Sequence, residues 1–218
     1  LKPEQILITG AIGTTLKDGS QKQHVGMYGL DHLGKIIFEY EKIHLVPFGE
    51  YIPLKKLLPI QKLSKSIMDL DYSPGEINRT FLLGNLKAIP LICYEIIFSE
   101  EVRSRNHLAD LIINITNDAW YGNSSGPYQH FRIAQMRAVE NGIPVLRVAN
   151  NGISAIIDPL GRIIMQTKLD EETYIDGYIP NKLTKSTIFA SSPQLIFLFL
   201  LVLIIYTNEL MKLKWIKI

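Results

Sequence analysis

The sequence predicts a layered α/β sandwich with a membrane-spanning helix behind it, and three observations predict it. Short apolar runs bounded by glycine, proline and small polar residues recur along residues 1–187, with two stretches of helical spacing among them; this is the pattern of sheets covered by helices. The only cysteine, Cys93, stands where one apolar run ends and helical spacing begins. Residues 188–206 carry no charge, a length sufficient to cross a bilayer.

The 218 residues, 47% of them hydrophobic, suffice for one sizeable core and an appendage. The expected division is a globular domain over 1–187, a transmembrane helix over 188–207 and a short basic tail over 208–218. The net charge of +2 and the lack of a basic patch with interleaved aromatics exclude nucleic-acid binding. One cysteine excludes an internal disulfide and a cysteine-rich metal site, and no metal or cofactor is expected. The chain opens on Leu1 and passes almost at once into an apolar run, which reads as a piece of a longer chain or an unusual start, with no signal peptide ahead of it.

In order, residues 5–12 form a short apolar run ending near glycine, expected as an interior strand, and polar residues 15–23 a loop. Residues 24–30 and 35–45 read as two strands around the turn Asp31-His-Leu-Gly34, whose glycine suits a hairpin. His24 and His32 read as ordinary loop or turn residues. In the second strand, period-two alternation puts Lys42 and His44 on one face. Lys42 is then either a solvated edge residue or the partner of Glu50, carried on the irregular loop that Pro47, Gly49 and Pro53 impose. Residues 54–71 alternate lysines with leucine and isoleucine, as an amphipathic segment lying on lipid or a surface loop would.

Residues 81–83 and 88–93 form the next hairpin and lead to Cys93. Here too two readings stand: a small buried hydrophobe, or a nucleophile held by the sheet at its edge, where the first N–H groups of the following helix favour a thiolate. Residues 96–108 have helical spacing, acidic early and basic late as the dipole prefers. Residues 110–116 form a buried strand ending in Asn117-Asp-Ala-Trp-Tyr-Gly122, the strand end at which α/β sheets place binding groups. A second helix runs from Gly126 through Val139, with His130 near its start as a structural or polar contact, and Gly142-Ile-Pro144 stops it. Strands follow at 144–149, 153–157, 162–166 and 173–179. Lysines flank the charge-free segment on both sides, and Lys212, Lys214 and Lys217 around Trp215 suit a cytoplasmic end; a buried core helix is the other reading of that segment.

Together, Lys42-Ile-His-Leu-Val-Pro-Phe-Gly-Glu50, Cys93-Tyr-Glu95, Asn117-Asp-Ala-Trp120, Gly126-Pro-Tyr-Gln-His130 and residues 147–152 resemble the C-terminal portion of the apolipoprotein N-acyltransferases, membrane members of the nitrilase (carbon–nitrogen hydrolase) superfamily. The resemblance covers nearly the whole chain. It implies a nitrilase-like αββα sandwich, here lacking its N-terminal part, in the bacterial cytoplasmic (inner) membrane with the domain facing the periplasm. It implies a ping-pong transfer in which Cys93 takes an acyl chain from a phospholipid as a thioester and passes it to the N-terminal amine of a diacylglyceryl-cysteine apolipoprotein. It makes Lys42 the oxyanion-stabilising lysine and Glu50 the carboxylate that positions it. Tyr94 and Glu95 become supporting neighbours of the nucleophile, and Trp120 part of the site wall. The superfamily's general base is a glutamate upstream of the strand that residues 5–12 resemble; Glu4 is in the wrong position for it, and the N-terminal membrane helices are missing as well. Residues 1–218 alone are therefore expected to be nearly inactive, as one half of a split enzyme with an N-terminal partner chain, an inactive remnant or a truncation. A nitrilase-type amidase acting on a small amide and a non-catalytic membrane-anchored module are the other classes.

Overall fold

A computed structural model describes residues 1–17, 19–54, 72–76 and 80–215. The expected amphipathic segment falls almost wholly on 55–71, outside the described residues. Strands β1 (Leu7–Lys17), β2 (Ser20–Leu30) and β3 (Ile36–Glu41) make an antiparallel three-stranded sheet. Strands β4 (Phe81–Leu83), β5 (Leu86–Ile92), β6 (Leu111–Asn117), β7 (Val145–Asn150), β8 (Ala155–Ile157) and β9 (Ile163–Gln166) make a six-stranded sheet in that order. Its centre, β5–β6–β7, is parallel, because a crossover with helical segments joins each strand to the next. Helices are α1 (Ser99–Arg103), α2 (Gly126–Asn141), α3 (Ile188–Ser191) and α4 (Pro193–Trp215).

Strand β5 shows how the layers form. Its alternate residues enter two cores: Ala88 and Ile92 join Met27, Tyr40, Leu111 and Ile113 between the sheets, while Ile89 and Leu91 join Ile112, Phe131, Ala134 and Ala138 beneath α2. A strand buried on both faces must be apolar throughout, and β5 is, apart from Lys87. The order of layers is sheet, sheet, helices. Among the described residues the helices of these layers cover one side only, and on the other Leu7 and Ile37, whose neighbours Ile8 and Phe38 turn inward, are 48% and 45% exposed. These layers make the expected α/β sandwich, with helices on one outer side among the described residues.

Several expectations are corrected. The first strand is no interior element; it extends to Lys17, and the supposed loop over 15–23 closes a hairpin in which Lys17 faces Ser20. His24 is buried within β2. The strand expected to reach residue 45 stops at Glu41, so strand alternation does not govern Lys42 and His44. The helix expected over 96–108 is three short pieces, a 3-10 turn at Cys93–Ile97, α1, and a second 3-10 turn at Asn106–Leu108, because Phe98 between the first two is extended. Residues 173–179 form no strand, and Tyr174 and Tyr178 lie open to solvent: alternation without a neighbouring strand satisfies no backbone groups.

The charge-free stretch is helical but broken. Ser192 leaves helical geometry between α3 and α4, as the residue before a proline tends to do. Leu195 and the side chains of 197–206 are exposed. Among the described residues no helix is long and apolar enough to cross a membrane. The side chains of Ile196 and 209–218, which include nearly all of the expected basic tail, lie outside the described residues.

Candidate active site

Parallel strands align their C-terminal ends, so β5, β6 and β7 deliver Cys93, Asp118 and Asn150 to one edge of the sheet. Cys93 follows β5 with φ of +51°, a left-handed conformation that costs a non-glycine residue about 1–2 kcal/mol. It is partly exposed and lines an apolar cavity of about 660 Å³ with Ile12, Glu50, Ile115, Trp120 and Val148. Trp120 is 76% exposed at its margin.

Lys42 is 1% exposed, and its Nζ donates to Glu50 Oε1 at 2.6 Å and Oε2 at 2.8 Å. Glu50 also accepts the Val46 N–H at 2.7 Å, so the proline-bounded loop folds its own carboxylate back onto the lysine. A buried ammonium is tolerated only when paired in this way. Cys93 and Glu50 therefore line one cavity, and Lys42 is tied to its lining through Glu50.

Glu95 takes no part in lining the cavity. Its Oε1 accepts from the Tyr40 hydroxyl at 3.0 Å and from the N–H groups of Ile43 and His44 at 2.7 and 3.2 Å, and its Oε2 accepts from the Ile92 N–H at 2.8 Å. Burial pushes its carboxyl up, and these four donors oppose the shift. Burial first, and then the Glu95 charge, raise the Tyr40 hydroxyl. Tyr94 packs edge-on against Phe98, which stacks on His44. It thus faces a neighbouring cavity lined by Ile43, Tyr51 and Tyr72 and not that of Cys93.

His130 is buried behind the nucleophile. Its Nε2 lies 3.2 Å from the Cys93 carbonyl oxygen, and its Nδ1 lies 2.9 Å from Asp118 Oδ1 and 3.1 Å from Arg147 Nη2. Arg147 donates to Asp118 Oδ2 at 2.7 Å and to Asn114 Oδ1, and the Thr116 hydroxyl donates to Asp118 Oδ1 at 2.9 Å. Burial pushes the Asp118 carboxyl up, but the His130 hydrogen bond and the Arg147 charge outweigh it and hold the group below the ordinary carboxylate range. Sequence reasoning missed Asp118 and Tyr40 as individual site residues and quoted Arg147 only as the edge of a motif. The available signal was an arginine inside an apolar strand, which needs a buried anion.

Among the described residues one group brings metal-type donors together, His24 with Glu39 and Glu41. His24 Nε2 lies 3.4 and 3.6 Å from their carboxylates and 3.1 Å from the Tyr28 hydroxyl. None of the four lines the Cys93 cavity, and their contacts are those of an imidazole held among carboxylates.

The carbon–nitrogen hydrolase family matches residues 3–189. The chain is 52% identical over 210 residues to the apolipoprotein N-acyltransferase of Rickettsia prowazekii, covering 95% of this chain and 42% of that protein. It is 41% identical over 185 residues to the one from Brucella melitensis, covering 83% and 35%. It thus spans well under half the length of these curated relatives. In three dimensions it is similar to an amidase of the nitrilase superfamily from Nesterenkonia (TM-score 0.56, 21% identity, 76% of this chain and 58% of that one). It is also similar to Nit3 of Saccharomyces cerevisiae, a further nitrilase-superfamily member (TM-score 0.56, 23% identity, 77% and 57%). With the match running over most of its length and the fold shared, the chain belongs to the carbon–nitrogen hydrolase family.

Proposed function

We propose that this chain carries the nucleophile, the oxyanion-stabilising cation and the acyl-chain cavity of an apolipoprotein N-acyltransferase. The observation that carries the reading is Cys93, held left-handed at a strand end, lining the same apolar cavity as the glutamate that grips buried Lys42. Cys93 Sγ attacks the ester carbonyl carbon of a phospholipid, the C–S bond forms, and the tetrahedral oxyanion is stabilised by the Lys42 ammonium and the backbone N–H of Tyr94. The C–O bond then breaks and the lysophospholipid leaves as its alcohol. The thioester retains enough reactivity for the α-amine of a diacylglyceryl-cysteine apolipoprotein to attack; the C–N bond forms, the C–S bond breaks and the amine's proton returns to the Cys93 sulfur.

The thiol proton needs an acceptor that can return it to the departing alkoxide. Glu50 lines the cavity but both its oxygens are engaged by Lys42, so we assign that role to a carboxylate outside residues 1–218. Residues 1–218 alone would then run slower by the about 10²–10⁴-fold that a general base typically contributes. The exposed apolar side chains of α4 support contact with lipid, and from the chain's resemblance to these acyltransferases we assign the sandwich to the periplasmic side of the bacterial inner membrane.

Co-expression with the remaining N-terminal part of the Rickettsia prowazekii relative, followed by an N-acylation assay on a diacylated lipopeptide, tests the reading. Acylation that requires Cys93 is expected. Acylation that survives Cys93→Ala, or none at all with both chains folded together, rejects it.

A further inference from the structure

The carbonyl of Cys93 and the N–H of Tyr94 belong to one peptide unit. That unit is planar and trans, so the two groups point in opposite directions, and whatever fixes the carbonyl also aims the N–H. His130 fixes the carbonyl. Its Nε2 stands 3.2 Å from the Cys93 oxygen; a carbonyl oxygen carries no proton, so Nε2 carries a hydrogen and donates it, while the Nδ1 hydrogen goes to Asp118 Oδ1. The imidazole cannot turn away, because Asp118 and Arg147 meet Nδ1 at 2.9 and 3.1 Å and Thr116 and Arg147 in turn hold Asp118. His130, Asp118 and Arg147 are each at least 98% buried, so water competes little for these bonds.

Tyr94 is the second residue of the 3-10 turn that starts at Cys93, and the first N–H groups of a helical turn have no acceptor within it. A donor bound to the carbonyl end of a peptide also polarises the unit and strengthens its N–H as a donor. We propose that His130 is a positioning residue which, by clamping the Cys93 carbonyl, aims and strengthens the Tyr94 N–H as the backbone donor to the acylation oxyanion. The proposal rests on the reading of Cys93 as an acyl-accepting nucleophile. It gives the buried Asp118–Arg147 pair a task, which is to hold one imidazole in one orientation.

The test compares two reactions of the same thiol in the full chain in detergent, at one pH near neutrality for all variants, where an ordinary thiol is already a few per cent thiolate. p-Nitrophenyl octanoate acylates Cys93 through an oxyanion, with p-nitrophenolate leaving as the C–O bond breaks. Iodoacetamide alkylates it by displacing iodide at a saturated carbon, where no oxyanion forms. Outright removal of an oxyanion donor costs about 10²–10³-fold; for a donor left in place but no longer aimed, His130→Ala should slow acylation by roughly 10–100-fold. Alkylation should change less than about threefold, since it draws nothing from the oxyanion site. His130→Gln, whose amide nitrogen reaches the Nε2 position, should recover much of the loss, and His130→Asn, which reaches only the Nδ1 position, should not.

Parallel falls in both reactions, no fall in acylation, or equal recovery by asparagine would each overturn the proposal. If the parent alkylates but does not acylate, the thioester reading fails separately. The relation is then read from the amide resonance of Tyr94 in ¹⁵N-labelled chain, which must shift in His130→Ala and return in His130→Gln. An unmoved resonance overturns it.

Discussion

Glu95 Oε1 accepts the backbone N–H of Ile43 at 2.7 Å, so the residue two places after the cysteine grips the residue one place after Lys42. Cys93 follows a strand of the six-stranded sheet and Lys42 follows a strand of the three-stranded one. The buried carboxylate, with Tyr40, His44 and Ile92 as its other donors, is therefore a tie between sheets that sets the spacing of the two groups proposed for chemistry.

Glu95→Gln tests that tie. A glutamine presents an NH₂ group where donors already point, leaving at least one buried donor without an acceptor at a cost of about 1–3 kcal/mol. Urea unfolding should register that loss, and acylation of Cys93 should fall although Glu95 lies off the cavity. Unchanged stability would mean that these contacts are not the anchor described.

The Lys42–Glu50 pair separates structure from chemistry. Lys42→Met leaves Glu50 without its cation, and breaking a buried pair costs up to about 3–5 kcal/mol, less here because Glu50 is partly exposed. Adding Glu50→Leu removes the stranded charge and should return most of the stability, whereas acylation should stay lost in both variants. If acylation returns with stability in the double variant, Lys42 serves only the fold.

Much of this arrangement was legible in the sequence where local pattern carries it. The run ending at Cys93 and the buried strand over 110–116 follow from unbroken apolar stretches, and the return of Glu50 to Lys42 follows from Pro47, Gly49 and Pro53. The long first hairpin was not legible: Leu16 apart, its outer half is polar and largely exposed, so it has the composition of a loop. Residues 173–179 erred the other way, alternating with no strand beside them. Asp118, His130 and Arg147 come from the end of β6, from α2 and from β7, and no local periodicity brings such residues together. The expected membrane span has Pro193 in the first turns of one helix; the helix instead breaks at Ser192, and among the described residues no helix is long and apolar enough to cross a membrane.

Asp118 predicts an acid limb of stability. Its folded carboxyl is held below the unfolded value of about 3.9, with burial opposing and His130 and Arg147 prevailing. The stabilisation is therefore fully present above the unfolded value and is lost as pH falls through the lowered folded one. Comparison of the parent with Asp118→Asn by urea unfolding should give a gap that is larger at about pH 5 than at about pH 3. A gap independent of pH across that range would show that the carboxylate charge is not what binds Arg147 and His130.

Cys93 itself gives the sharpest test of the strand-end geometry. At φ of +51° any residue with a Cβ pays the left-handed penalty, so Cys93→Ala keeps it and Cys93→Gly relieves it. In an ordinary strand glycine would be the less stable of the two by about 0.5–1 kcal/mol, through the freedom it adds to the unfolded chain. Here the order should reverse or vanish, because about 1–2 kcal/mol of backbone strain is released. Unfolding of both variants in urea decides the point, since both lack the thiol and differ only in backbone freedom and one methyl group. Glycine at least as stable as alanine means that the fold holds its cysteine in a conformation it would not otherwise choose. That is the cost expected where the sheet presents a nucleophile. Alanine clearly ahead would mean that the residue is relaxed, and the case for a dedicated nucleophile at this strand end would lose its physical basis.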